Sequence, residues 1–322
     1  MDQSLKQEIC TQAEIFGVRI DQSSIKKHHS QGYISQVFSA HSNVGNIIIH
    51  VVKLNQAQEH IGVHRKMKPL SDALIQFGGI PIPKVYASFR FESYTVSISD
   101  FLPGTIAGKR KDIEFDFVDD WHFLLAEVGH EIERIIFRIH SFQVEKFGWL
   151  GDDPKKGGEF ENWIDFLQSE IQLWHEKINL GERQIKEEHS NLANRLVTYF
   201  NSIKSEIKYI GNPVLVHADT TNPSNILVDK GKITGILDWE YALGGDPAWE
   251  FTFKNAHSLQ IYFALTRKEN QQFDEDAFLY RIHLYYPLIC GIWCFVHSFS
   301  PHTPLYSACR KHLDVTLQNR GY

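Results

Sequence analysis

Residues 217–251 read HADTTNPSNILVDKGKITGILDWEYALGGDPAWEF, and the middle of this stretch is a β-hairpin. Two short β-branched and apolar runs, NILV and ITGIL, flank the turn DKGK, whose Asp and Gly suit a tight reversal. Asn225 lies just before the first strand and Asp238 at the end of the second. A hairpin sets those two ends side by side, so both side chains can reach one cation. Asp219, in the preceding loop, stays close by and free to accept a proton. Two oxygen ligands with open positions suit Mg²⁺, which retains waters and accepts substrate phosphates. An additional carboxylate beside it suits a base, or an orienting acceptor for a hydroxyl nucleophile. Together these are the parts needed for phosphoryl transfer from a nucleotide.

The rest of the chain has to supply a nucleotide site and a cleft, and its length permits both. At 322 residues it can form one large domain or two lobes with substantial cores. Its hydrophobic fraction of 43% and charged fraction of 22% place it among globular, non-membrane, non-disordered chains. A formal charge of -6 argues against a nucleic-acid binder. The N-terminus MDQSLKQEIC lacks the basic and apolar regions of a secretory signal. The most apolar segment, LYYPLICGIWCFVH (284–297), is too short to span a bilayer and contains Pro287 and Gly291, so it reads as a buried helix. Cys290 and Cys294 lie one helical turn apart, but no second Cys or His pair stands at zinc-site spacing. With Cys10 and Cys309 they read as reduced thiols of a cytoplasmic protein that engages neither nucleic acid nor membrane and is a monomer or weak dimer.

Upstream of the hairpin the chain changes character once. GYISQVFSAH and GNIIIHVVKL are β-branched and aromatic runs joined by SNVG, a hairpin signal. A polar helix follows over about 55–77, closed by Gly78-Gly79; IPIPKVYASF and YTVSISDFL are further strands, ended by Pro103-Gly104. Beyond Pro103, apolar residues recur at helical period, as in Leu124, Val128, Ile132, Ile135, Ile136 and Ile139, and again in Trp163, Phe166, Leu167, Ile171 and Trp174. A β-rich lobe over 1–101 and a larger helical lobe over 102–322 with one embedded hairpin make an α+β, bilobal arrangement with a cleft between the lobes.

The motif set resembles the aminoglycoside phosphotransferase family, small-molecule kinases with a protein-kinase-like fold, and is closest in pattern to its hygromycin-kinase-like branch. The resemblance rests on His217-Ala218-Asp219, Asn225, Asp238-Trp239 and Gly245-Asp246-Pro247. It implies that Asp219 is the catalytic base, that Asn225 and Asp238 bind Mg²⁺, and that His217 buttresses the loop. One residue more than is usual in the family separates Asp219 from Asn225, so either the loop bulges around TTNP or Asn222 shares the role; the context PSNILV assigns it to Asn225. Lys53, ending an apolar strand, stands where the family keeps the lysine that touches the phosphates of ATP or GTP. Glu59, the only glutamate between Lys53 and Glu92, is its expected helix partner, with Asp72 the second choice. SQGYISQVF would cover the phosphates, with Gly32 and either Ser30 or Ser35 as donors, and backbone groups of Ile98, Asp100 and Phe101 in SISDFLPG would bind adenine.

The acceptor site is expected between the hairpin end and the helices of the larger lobe. Asp165, Glu170, Glu240 and Glu250 could receive the ammonium groups of an amine-bearing alcohol; the plainer expectation is surface acids, with Glu250 a structural partner inside the lobe. Trp163, Trp174, Trp239 and Trp249 could wall a sugar or quaternary amine, or be core. Three functions follow in order: a kinase of an aminoglycoside-type aminocyclitol, a metabolic kinase of a sugar, homoserine or choline-like alcohol, and a non-catalytic nucleotide-binding module.

Overall fold

The N-terminal strands close into one antiparallel sheet because β-branched residues alternate along them and tight turns join them. In a computed structural model, which describes residues 3–28, 35–54, 59–107, 128–179, 187–220, 222–252, 259–297 and 304–322, β1 (Lys26–Lys27), β2 (Ser35–Ser42), β3 (Gly45–Lys53), β4 (Val85–Phe91) and β5 (Tyr94–Asp100) lie in the order β1-β2-β3-β5-β4. The β2–β3 turn falls on Asn43-Val44, with Ser42 paired to Gly45, inside the SNVG signal. Ile47, Ile49 and Val51 of β3 alternate inward against Val96 and Ile98 of β5. Helix α1 (Gln3–Ile15) covers that face with Leu5, Ile9 and Ala13, one turn apart each, so the first residues complete this smaller core.

Helix α2 (Val63–Phe77) packs against β4 and β5 of this sheet and also reaches the other half. Its Ile61-side entry, Val63, Leu70 and Leu74 join the larger core. Its far side is tied to the sheet, since Ser71 Oγ accepts the Val85 N–H at 2.9 Å and donates to Pro83 O at 3.1 Å. At its C-terminus Gly78, at φ 75°, donates to Leu74 O. Arg138 then clamps that end, donating to Phe77 O and Gly78 O with its guanidinium 3.9 Å over the Phe77 ring.

The larger core is helical: α3 (Gly129–His140), α4 (Trp163–Asn179), α5 (Glu187–Ile203), α6 (Gln260–Glu269), α7 (Glu275–His297) and α8 (Pro304–Asn319). The part of the expected α3 stripe at Leu124 lies outside the described residues, whereas Val128, Ile132, Ile135, Ile136 and Ile139 are buried. Trp163, Trp174, Trp239 and Trp249 are all core. The apolar segment around Pro287 sits within α7 with Leu288, Cys290 and Cys294 buried, and Cys10, Cys290 and Cys294 are free thiols. Among the described residues no helix is long and apolar enough to cross a membrane.

Two three-stranded sheets are set into this lobe. The expected hairpin is β9 (Ile226–Asp229) and β10 (Lys232–Ile236), paired Lys232↔Asp229 through Ile236↔Ile226, and β6 (Thr105–Ile106) adds a third strand beside β9. Gly104, at φ 119°, is required there, since a Cβ would meet Val228 O at 2.8 Å. The second sheet, β7 (Gly148–Trp149), β11 (Leu243–Gly245) and β8 (Val214–Val216), directs the chain from β8 into His217.

Candidate active site

Strand β8 is apolar and fully buried, so the chain leaves it carrying backbone groups into a dry interior. The loop 217–220 cannot pair those groups in a ladder, and a single carboxylate does so instead. Glu250 accepts from His217 N (2.8 Å) and Ala218 N (2.9 Å) on Oε2, and from Thr220 N (2.9 Å) on Oε1. This holds Ala218 at φ 71°, a left-handed conformation that a residue with a Cβ adopts only when its surroundings impose it. Burial alone would raise the Glu250 carboxyl. His140, 3.9 Å away, together with His217 and the loop N–H groups, outweighs burial and brings it down to about 2. Glu250 therefore faces the inside of the loop, and the expectation of an acceptor-binding role for it is corrected.

His217 is wholly buried, and both ring nitrogens are engaged. Nε2 donates to Leu237 O at 2.8 Å, and Nδ1 accepts the Asp219 N–H at 3.2 Å. Burial lowers its pKa against the pull of Glu250 and Asp219. The ring is a neutral strut between the loop and the end of the hairpin, edge-on against Trp239 with centroids 4.5 Å apart.

Asp219 is buried, and its Oδ2 accepts from Asn225 Nδ2 at 2.8 Å and Asn222 Nδ2 at 3.0 Å. Two successive turns absorb the additional residue: Asn222 N donates to Asp219 O, and Asn225 N to Asn222 O. Asn222 caps the second turn, its Oδ1 accepting from Ser224 N and Ser224 Oγ, so both ends of its amide are used within the loop. Asn225 differs. Its Nδ2 is fixed on Asp219, leaving Oδ1 as its end for a cation, and its backbone O accepts from Leu237 N at 2.7 Å. That bond extends the hairpin pairing to the residue next to Asp238, which is exposed and holds φ 66°. A carbonyl oxygen and a carboxylate on adjacent strand ends are a hard donor pair, and they fit Mg²⁺. Among the described residues no group of three or more His, Cys, Asp and Glu offers an alternative metal cluster.

The nucleotide side departs further from expectation. Lys53 ends β3 and is exposed, opposite Tyr94. Ser35 opens β2 opposite Val52, at the same end of the sheet, and Gly32 lies outside the described residues. Glu59 does not meet Lys53; it pairs with Arg90 on β4, Oε1 to Nη2 2.9 Å. Asp72 pairs with Lys68 within its own helix. Ile98 lies in β5 between β3 and β4, so ladders on both sides occupy its backbone. Asp100 N donates to Lys84 O, its Oδ1 accepts Lys84 N at 2.7 Å, and Phe101 N donates to Asn46 O. The expected adenine donors are thus spent within the sheet, because β5 is an inner strand.

The other expected acceptor acids also have internal contacts. Asp165 is exposed in the first turn of α4 and bonded to Asn162. Glu170, buried at the middle of α4, meets His60 at 2.8 Å. Glu240 is half-buried in the turn after Asp238 and faces the charge of Lys66, a lysine of α2 that is 0% exposed. Burial lowers the Lys66 ammonium and raises the Glu240 carboxyl, each opposed by the other's charge. The sequence did carry a signal for Lys66: it stands four before Leu70 and eight before Leu74, on the apolar stripe of its helix.

A family model described as the APH phosphotransferase enzyme family matches residues 28–280. No curated protein matches the chain. Among solved structures, aminoglycoside phosphotransferase APH(4)-Ia in a ternary complex with AMP-PNP and hygromycin B is 19% identical with a TM-score of 0.64, covering 98% of this chain and 99% of that one. The GDP and kanamycin complex of APH(2")-IIia is 15% identical with a TM-score of 0.60, covering 99% of each chain. A putative fructosamine-3-kinase from Haemophilus somnus 129PT is 15% identical with a TM-score of 0.59, covering 96% of each. At these identities the likenesses establish a shared kinase-like fold.

Proposed function

Since the chain belongs to the APH phosphotransferase enzyme family, we propose that it transfers the γ-phosphoryl group of ATP or GTP to a hydroxyl of a small molecule, with Mg²⁺. The observation that carries this reading is the buried Asp219, oriented by two amides and joined through Asn225 to the hairpin end that presents Asp238. In this reading Asn225 and Asp238 hold the metal, whose charge neutralises the phosphates. Asp219 orients the acceptor hydroxyl and takes its proton. His217, neutral and with both nitrogens engaged, moves no proton and keeps the loop on β10. Lys53 meets the phosphates from the end of β3. In this reading 1–101 is the nucleotide lobe and 102–322 the acceptor lobe, with α2 in contact with both.

For the acceptor, an aminoglycoside-type aminocyclitol is the first reading, with Glu170 and Glu240 as the acids left to meet ammonium groups; the chain would then confer antibiotic resistance. A sugar, homoserine or choline-like alcohol is the second, supported by the internal commitment of Asp165 and Glu250. Either reading places the protein in the cytoplasm, where nucleotide and Mg²⁺ are plentiful. ADP release measured over a panel of hygromycin B, kanamycin, fructosamines, hexoses, homoserine and choline tests it. Turnover with any of these supports the phosphotransferase reading and names the class. Calorimetry showing no nucleotide binding with or without Mg²⁺ would sink it, and tight binding without turnover on any acceptor would favour a non-catalytic module.

A further inference from the structure

Hydrogen bonds on both sides fix the backbone around the left-handed Asp238. Leu237 N bonds to Asn225 O, Trp239 Nε1 donates to Ile236 O at 2.9 Å, Ala242 N bonds back to Trp239 O, and Lys66 Nζ donates to Ala242 O at 3.2 Å. The first three lie within the hairpin and its following turn. Lys66 alone reaches the turn from α2, and α2 is bonded through Ser71 to the start of β4. We propose that Lys66 is a positioning residue, fixing the 238–242 turn to α2 and so coupling the sheet that faces the nucleotide to the presentation of Asp238. The proposal rests on reading Asp238 as a metal ligand.

Three observations support it. First, Glu59, which precedes α2 and was the expected carboxylate partner of Lys53, pairs with Arg90 instead. Lys66, one turn into α2, is the helix's charged residue that faces the site. Second, its ammonium is fully buried beside the Trp149 ring, 5.5 Å from the centroid. Among the described residues Ala242 O is its only hydrogen-bond acceptor, and no carboxylate lies within ion-pair distance, Glu240 being a more distant counter-charge. An ammonium buried with one neutral acceptor is a poor contributor to stability, so the contact is better explained by what it holds. Third, the residue it holds follows Asp238 by four positions, with Glu240 and the Trp239–His217 contact between them. Displacing Ala242 O therefore moves the backbone that sets φ at Asp238 and the ring that packs on the catalytic-loop histidine.

The test uses the full chain with AMP-PNP as probe. Lys66→Met has a similar volume and no charge. Its melting temperature should equal or exceed that of the unaltered protein, and its AMP-PNP affinity without metal should be unchanged. The gain in AMP-PNP affinity on adding Mg²⁺ should fall about 10-fold, the scale of losing a group that orients a metal ligand. Amides of 239–242 should exchange faster, with the rest of the larger lobe unaffected. An undiminished Mg²⁺ gain with unchanged exchange at 239–242 overturns the proposal. So does a variant that fails to fold or melts several degrees lower, since that makes Lys66 a stabilising residue. If the unaltered protein itself shows no Mg²⁺ gain, the metal reading of Asp238 fails instead, and the exchange of 239–242 still decides whether Lys66 holds the turn.

Discussion

Replacing Glu250 by Gln removes one charge and one acceptor from beneath the 217–220 loop while keeping the shape. The unaltered carboxylate takes three buried N–H groups, from His217, Ala218 and Thr220, on two oxygens. An amide turns one of those oxygens into a donor, so at least one N–H loses its acceptor, at a cost of about 1–3 kcal/mol. The depressed carboxyl reflects the same N–H groups together with His140 and His217: brought from 4.5 to about 2 on folding, it stabilises the fold by about 3 kcal/mol near neutral pH. The sign follows from the depressed value. The contribution is complete above the unfolded pKa of 4.5 and is lost as pH falls through the folded value of about 2. Guanidinium unfolding of Glu250→Gln should show a deficit of about 3 kcal/mol near pH 7, smaller by roughly 1 kcal/mol at about pH 3.5. Turnover should fall as well, because Ala218 loses one of the contacts that impose its backbone. A deficit below about 1 kcal/mol near pH 7, or one that stays constant across that range, would refute the claim that this carboxylate holds the loop.

Asp238→Ala should abolish the Mg²⁺-dependent part of AMP-PNP affinity, whereas Asp219→Asn should leave it within a few-fold and cut turnover by about 10²–10⁴; equal loss of nucleotide binding in both would show that their roles are not separate. Asn225→Ala should lose metal-dependent binding and turnover together. Asn222→Ala should lose turnover only, since its amide is spent on Asp219 and Ser224, and calorimetry showing loss of the Mg²⁺ gain in Asn222→Ala would transfer the metal role to it. For the His60–Glu170 contact, burial lowers the imidazole pKa, but the hydrogen bond and charge of Glu170, with Glu159 adding to and Lys66 opposing them, leave it raised above 6.5. The stability contributed by this contact should therefore be complete below the unfolded His value and be lost as pH rises through the folded one. Stability measured against pH should show that loss in the unaltered protein and not in Glu170→Gln; the same slope in both would exclude the pair as its source.

Much of the candidate site was legible because its parts are neighbours in sequence. Asp219, Asn222, Asn225 and Asp238 are brought together by two turns and a hairpin, and local residue types specify both. The assignment of the cation-facing amide to Asn225 rested on its attachment to the strand ILV, and the Leu237–Asn225 bond shows that attachment. Partner choice between distant elements was not legible. Glu59 and Arg90 are far apart in sequence, and only the fold that sets the segment before α2 beside β4 makes them neighbours. The partners of the expected adenine-binding backbone were hidden for a similar reason: SISDFL reads as a strand end whether the strand is at an edge or inside, and only the fold shows that the Asp100 and Phe101 N–H groups are taken.

The same reasoning explains why the acids misled. A carboxylate is identical in sequence whether it awaits an ammonium group or holds backbone, and composition cannot separate the two. Glu250 lies in a short helix that begins with Asp246-Pro247, so its side chain is aimed under the loop leaving β8. There it meets N–H groups that no strand could satisfy. Phosphoryl transfer asks little covalent chemistry of the protein and much positioning, and this site invests buried charge accordingly. Ala218 and Asp238, two non-glycine residues in left-handed backbone, stand on either side of the proposed reaction centre. Each is reached by a buried ionisable side chain from elsewhere, Glu250 for the first and Lys66, through Ala242, for the second. Strain held from outside the strained segment is released by cutting the holder, so changes at Glu250 or Lys66 should act on turnover and metal linkage before they act on metal-free nucleotide binding.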